Sequence, residues 1–288
     1  MGMLVGVNIA TSAAPGADPA GDAAWAEELG FDFVSSSDHP SGSAPTFETW
    51  TMLTWIAART SRIRIATRVL GVPYRPPAMV AKMAETLDRL SGGRLILGLG
   101  SGHSDEEFRA FGLGVPTPRQ KVDGLRDAIQ IMRGLWSQPS FSYQGLVHHT
   151  EAAPMEPKAQ HHIPIWLGTY GPRALAVTGE LADGWIPSLG SAGPEEIPRL
   201  RARLEAAATA AGREPGEITY AYNVPVRVEP GAAPRPNVVS GSADQVAGRL
   251  RQFAGLGFTA INVMPTGPDP REQMRRIARE VVPAFRGS

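Results

Sequence analysis

Short apolar runs alternate with longer stretches whose apolar residues recur every three or four positions, and this alternation continues along the whole chain. The short runs predict eight strands, near 4–10, 31–35, 63–70, 94–99, 164–167, 184–187, 218–226 and 258–263. Helical periodicity fills the intervals at 20–29, 47–59, 76–90, 105–110 with 119–136, 171–182, 194–212, 242–255 and 270–284. Eight strand–helix pairs in succession predict an α/β fold, a (β/α)8 barrel with a parallel sheet closed on itself. Gly30 after the first helix and Gly257 before the eighth strand supply C-terminal stops, and Glu48 and Asp244 fall in first turns. Two stretches break the rhythm. Residues 138–163, with Phe141, Tyr143 and Gln144-Gly145, read as a hairpin-bearing insertion, and 227–241 reads as an irregular loop.

At 288 residues the chain suits one barrel domain spanning 1–288. Its 28 basic and 28 acidic residues are spread without long runs, which argues against a nucleic-acid or membrane-surface partner and for a small-molecule ligand. With no Cys, thiolate nucleophiles, thiolate metal sites and disulfides are excluded. The segment Met1–Val7 lacks a basic stretch before its apolar residues and reads as a first strand, not a signal peptide, so a cytoplasmic location is expected.

In a barrel the chemistry belongs at the C-terminal ends of the strands, where the βα loops converge. There the register places Asn8, Asp38-His39, Thr67 to Leu70, Gly100 to His103, Gly168 to Arg173, Trp185, Ser188, Asn223 and Asn262. Gly92 to Gly102 runs from a helix-ending Gly pair through an apolar strand into a loop of Gly100, Ser101 and Gly102, which lets backbone N–H groups approach a ligand. Asp38-His39 sets an acceptor beside an imidazole able to shuttle protons near neutral pH, or else it is a capped turn with an exposed His. His103 opens a helix whose Asp105, Glu106 and Glu107 suit the positive end of the helix dipole. Gly168-Thr169-Tyr170-Gly171-Pro172-Arg173 leads into a helix with free N–H groups, either an ordinary turn or a phosphate site. The pairs His148-His149 and His161-His162 lack a matching carboxylate cluster, so no metal is expected. Ser101 and Ser188 lie outside any G-x-S-x-G elbow. Trp25, Trp50, Trp55 and Trp136 have the helical spacing of core residues, whereas Trp185 at a strand end reads as a pocket residue.

Taken in order, Glu28 to Asp32, Ser37-Asp38-His39-Pro40, Ala57 to Ile65, Pro76 to Lys82, Leu87 to Arg94, Leu99 to Gly102, Gly171 to Leu175 and Leu181 to Trp185 resemble the luciferase-like monooxygenase superfamily. Within it they resemble the oxidoreductases that use the deazaflavin coenzyme F420. The resemblance implies a homodimeric barrel, with the ring in the mouth and its phosphate over Gly168, Thr169, Tyr170, Gly171 and Pro172. It implies a bulge with a non-proline cis peptide at Arg68–Val69, next to Thr67, propping one face of the ring. Asp38 would contact the ring's polar edge, and His39 would be the acid or base beside the substrate. His103 stands where several subfamilies carry a carboxylate, so it shares the proton-donor candidacy and discourages direct transfer of a sugar-phosphate or secondary-alcohol substrate. Arg75 and Arg173 would offer surface charge to a polyglutamate tail. The alternatives are an FMN-dependent monooxygenase of the same superfamily and a cofactor-binding protein without turnover.

Overall fold

A computed structural model describes residues 2–286 apart from Ala232 and Pro234, both within the irregular stretch 227–241. The first strands and helices follow the expected order: β1 (Leu4–Asn8), α1 (Pro19–Leu29), β2 (Phe33–Ser36), α2 (Thr49–Arg59) and β3 (Arg64–Thr67). The expected strand 63–70 is interrupted at the non-proline cis peptide Arg68–Val69 and resumes as β4 (Leu70–Gly71). Then come α3 (Pro77–Ser91), β5 (Leu95–Gly100), α4 (Asp105–Ala110) and α5 (Pro118–Ser137). The insertion forms an antiparallel hairpin of β6 (Phe141–Gln144) and β7 (His149–Ala153), as its turn residues suggest.

The chain continues through β8 (Ile165–Leu167), α6 (Pro172–Leu181), β9 (Gly184–Trp185), α7 (Ile197–Ala210) and β10 (Thr219–Val228). A short β11 (Val239–Gly241) pairs in parallel with the end of β10, so the stretch 227–241 is less irregular than expected. The last elements are α8 (Ala243–Gly255), β12 (Ala260–Pro265), α9 (Pro270–Arg276) and α10 (Val282–Arg286). A π-helical turn at 277–281 separates α9 from α10, dividing what periodicity presents as one helix.

Among the described residues, β1, β2, β3, β5, β8, β9, β10 and β12 pair in parallel and close through β12–β1 and β10–β9. Helix limits follow local chemistry. Gly30 and Gly92 adopt left-handed φ values of 87° and 73° and end α1 and α3. Thr117 with Gln120, and Ser242 with Gln245, form capping boxes that satisfy the first N–H groups of α5 and α8. Glu48 lies one residue before its helix and caps α2 through bonds from the Trp50 and Thr51 amides.

Strand alternation divides the side chains between two cores. One layer of the barrel interior is built from Phe33, Ala66, Ile96, Trp166, Ile186, Ala221 and Ala260, with Leu4 partly buried beside them. The larger core fills the space between barrel and helices. Two residues beyond each interior position come Gly6, Ser35, Arg68, Gly98, Gly168, Ser188, Asn223 and Asn262. Sequence parity thus turns the inward face from apolar to small or polar toward the C-terminal ends. Among the described residues, no helix is long and apolar enough to cross a membrane.

Candidate active site

At that end of the barrel lies a cavity of about 320 Å³. Asp38, His39, Arg68, Val69 and Gly100 line it together with Ser101, Gly102, His103, Gly168 and Tyr170. The structure therefore gathers ten residues expected from the sequence. Ser188 and Asn223, which the register also puts at this end, line the cavity too, and the structure adds Gly71, Tyr74, Ile186 and Ser191. Val69 lies over the glycine strand. A Cβ on Gly100 would meet Val69 Cγ2 at 2.7 Å, one on Gly168 would approach it at 3.3 Å, and one on Gly98 would sit 1.9 Å from the Thr67 carbonyl oxygen. Glycine at 98 and 100 is thus what allows β5 to pass this close beneath the bulge.

The remaining expected residues are elsewhere. Thr67 is 1% exposed and its hydroxyl donates to Gly98 O at 2.6 Å, tying β3 to β5 below the cavity. Thr169 is also buried, with its hydroxyl 2.7 Å from that of Thr178 on α6. Gly171 and Pro172 stand at the start of α6, outside the cavity lining; Gly171 has open space where a Cβ would project and caps the helix with no side chain. Trp185 corrects the expectation of a pocket residue. It is wholly buried in the outer core, its indole N–H bonds Thr169 O at 2.9 Å, and its ring stacks on Phe258. The cause is parity: Ile186 takes the inward place, so its neighbour must face the helices. Trp55 likewise departs from its core reading and is 57% exposed, while Trp50 and Trp136 are buried.

Asp38 is buried and held by three bonds. Gly71 N–H donates to it at 3.0 Å, and the Arg75 guanidinium grips its carboxylate with two bonds of 2.9 and 3.0 Å. Arg75 also bonds Glu48. It is therefore not the surface group expected for a polyglutamate tail, because two carboxylates already claim its planar fork. Arg173 keeps an exposed side chain although it pairs with Asp123 at 2.6 Å.

Sequence reasoning also missed the place of Glu107. It belongs to the acidic first turn of α4 yet is 9% exposed. One carboxylate oxygen lies 3.0 Å from His39 Nδ1, and the other accepts from the Tyr74 hydroxyl. Burial, followed by the hydrogen bond to Glu107 and the charges of Glu107 and Asp38, pushes the Tyr74 hydroxyl above its ordinary range, keeping it a neutral donor. The Tyr74–Glu107–His39 chain engages His39 at Nδ1 and leaves Nε2 without a partner among the described residues. His103 lines the rim, exposed and without a hydrogen-bond partner among the described residues. His161 and His162 instead bond Asp88 and Asp183 at the opposite, N-terminal side of the strands.

The floor is hydrogen-bonded across four strands. Ser35 Oγ donates to Asn262 Oδ1 at 3.0 Å, Asn262 Nδ2 donates to Asn223 Oδ1 at 2.9 Å, and Asn223 Nδ2 donates to Ser188 Oγ at 3.2 Å. Beside it Arg68 donates from Nε to Asn8 Oδ1 at 3.0 Å. Burial pushes the Arg68 guanidinium down to about 10, opposed in part by Tyr170.

Comparison with known proteins matches this architecture. A curated F420-dependent glucose-6-phosphate dehydrogenase of Microbacterium testaceum is 30% identical over 263 residues, covering 89% of this chain and 74% of that protein. One of Kineococcus radiotolerans is 34% identical over 207 residues, covering 68% of this chain and 59% of its own. Among solved structures, an F420-dependent secondary alcohol dehydrogenase in complex with an F420-acetone adduct superposes with a TM-score of 0.89 at 20% identity, over 99% of this chain and 100% of the other. The F420-dependent tetrahydromethanopterin reductase of Methanopyrus kandleri gives 0.86 at 20% identity, over 99% and 100%. These two establish the shared fold. The family model for luciferase-like monooxygenases matches residues 10–235, and with the closed barrel and the site at its C-terminal mouth the chain belongs to that family.

Proposed function

We propose that this protein is a coenzyme F420-dependent oxidoreductase acting on a small organic substrate, with His39 handling the proton. The observation that carries the reading is the cavity itself. Val69, seated on Gly100 and Gly168, lines it together with the two imidazoles, in a family whose curated relatives are named for F420. Glycine at 100 and 168 lets the Val69 side chain sit close against the strand ends, where it would support one face of a flat ring. Val69, Gly100, Ser101, Gly102 and Gly168 would hold the ring. The uncapped first turn of α6, entered through Thr169, Tyr170, Gly171 and Pro172, would receive the phosphate, whose charge the free N–H groups and helix dipole favour.

When bound, the deazaflavin supplies a carbon that donates or accepts a hydride. The protein's part is to bind, orient and move a proton. Glu107 and Tyr74 hold the His39 ring through Nδ1, leaving Nε2 as the nitrogen that would give or take a proton. Asp38, neutralised by Arg75, holds β4 and the turn after β2 in place through its bond from Gly71. His103 at the rim is the second proton-bearing group. We place this chemistry in a single barrel domain that works as a homodimer, since Trp55 on α2 and Met79 and Leu90 on α3 expose apolar surface.

The test is a calorimetric titration with oxidised F420 and, separately, with FMN. Micromolar or tighter F420 binding with weak FMN binding supports the reading. The reverse preference turns it into an FMN-dependent monooxygenase, and binding of neither sinks the α6 phosphate assignment. Light scattering at the molar mass of one chain would remove the dimer.

A further inference from the structure

Arg68 is the one charge at the cavity to which the proposed chemistry gives no task. Its backbone sits at the β3 bulge and its side chain crosses the barrel mouth toward β1, where Nε bonds Asn8. Among the described residues its guanidinium forms no ion pair, although its side chain is half-buried and lines the cavity. The other charged groups there already have partners: Asp38 bonds Arg75, which also bonds Glu48, and Glu107 bonds His39 and Tyr74. Neutral donors stand on the remainder of the floor, namely the hydroxyls of Ser188 and Tyr170.

From this geometry we infer that Arg68 is a substrate-anchoring residue, and that the substrate carries a carboxylate which its two terminal nitrogens grip at the floor of the cavity. The inference deepens the F420 reading above and rests on it for the identity of the second ligand. A planar carboxylate matches the fork of a guanidinium whose Nε edge is already taken. One carboxylate gives this guanidinium the ion pair that it lacks among the described residues. The lowered proton affinity of Arg68 agrees with a buried cation lacking a counter-charge. The inference also separates this chain from relatives named for a sugar phosphate.

The experiment uses F420-loaded protein with acetate, butyrate and benzoate as probes and the matching primary amides as neutral controls. Binding is read from the change in cofactor absorbance and, in parallel, by calorimetry on unloaded protein. The wild type is expected to bind each carboxylate at least about tenfold more tightly than its amide. Arg68→Met is expected to abolish that preference and Arg68→Lys to keep part of it, with F420 affinity within about threefold throughout; should Arg68→Met fail to fold, Arg68→Gln serves in its place. Equal binding of carboxylate and amide by the wild type overturns the inference, as does a preference that survives in the variant. A tenfold or greater loss of F420 affinity in Arg68→Met also overturns it, assigning the guanidinium to the cofactor. Arg68-dependent carboxylate selectivity in unloaded protein that binds no F420 would sink the cofactor reading while sustaining this one.

Discussion

Replacing Glu107 with Gln removes one charge and almost no volume from the chain that holds His39. In the native protein the carboxylate meets His39 Nδ1 at 3.0 Å and accepts from Tyr74 on its other oxygen. A hydrogen bond to a charged group contributes about 1.5–3 kcal/mol, a neutral one about 0.5–1.5 kcal/mol. Because the His39 side chain is 56% exposed, the lower part of that difference applies, about 1 kcal/mol, or roughly a fivefold change in an equilibrium. The ratio of His39 with its proton on Nδ1 to that with its proton on Nε2 should fall by that factor, measured from the imidazole nitrogen shifts by NMR. Turnover with any substrate found in an F420-reduction screen should fall about five- to tenfold, with F420 affinity changed less than about twofold. The decisive control is His39→Ala. If Glu107 acts through His39, Glu107→Gln adds no further loss in that background. An equal loss with and without His39, or an unchanged tautomer in the single variant, would refute the relay.

Gly98→Ala should be strongly destabilising, since its Cβ would lie 1.9 Å from a backbone oxygen that cannot swing away; a loss of about 3 kcal/mol and roughly 6–12 °C in Tm is expected, and a Tm within 2 °C of wild type would contradict the packing. Arg75→Met leaves the Asp38 carboxylate, 2% exposed, with the Gly71 amide alone among its present partners, so denaturant unfolding should show a loss of about 3 kcal/mol. Burial raises the Glu27 pKa, but amide bonds from Ile63, Arg62 and Ser61 outweigh it and bring the carboxyl down to about 2 from 4.5. A depressed folded pKa means stability present above pH 4.5 and lost as pH falls from there toward 2. After allowance for solvent exposure this is about 1 kcal/mol, and Glu27→Gln should lack that part of the acid-denaturation slope.

The barrel was legible because each strand and helix carries its own period, and the hairpin at 141–153 because turn residues interrupt that period. The bulge at Arg68–Val69 was not readable from periodicity, which runs through it; the family resemblance located it. Glu107 was hidden because three acids in a first turn satisfy a helix dipole whichever way each points. Only the burial of Glu107 and Phe108 together shows that this side of α4 faces the site. Trp185 misled through its position at a strand end, although stepping by twos from Trp166 to Gly168 and from Ile186 to Ser188 names the inward residues. Arg75 shares no local pattern with Asp38, 37 residues away, and their contact exists only after β4 packs beside β5.

The hydrogen-bonded chain across the floor has a direction. Ser35 gives to Asn262, Asn262 to Asn223 and Asn223 to Ser188, and the bonds from Asn223 Nδ2 to the Ile186 and Pro187 carbonyls fix that sense, since a flipped amide would face oxygen to oxygen. The sequence of dipoles ends at Ser188, whose oxygen has accepted and whose own hydrogen is committed to none of the described residues. Polarisation along the chain makes that hydrogen a stronger donor than an isolated serine would present. A ligand oxygen resting on the floor would thus sense Ser35, on the second strand, through a line of partners it never touches.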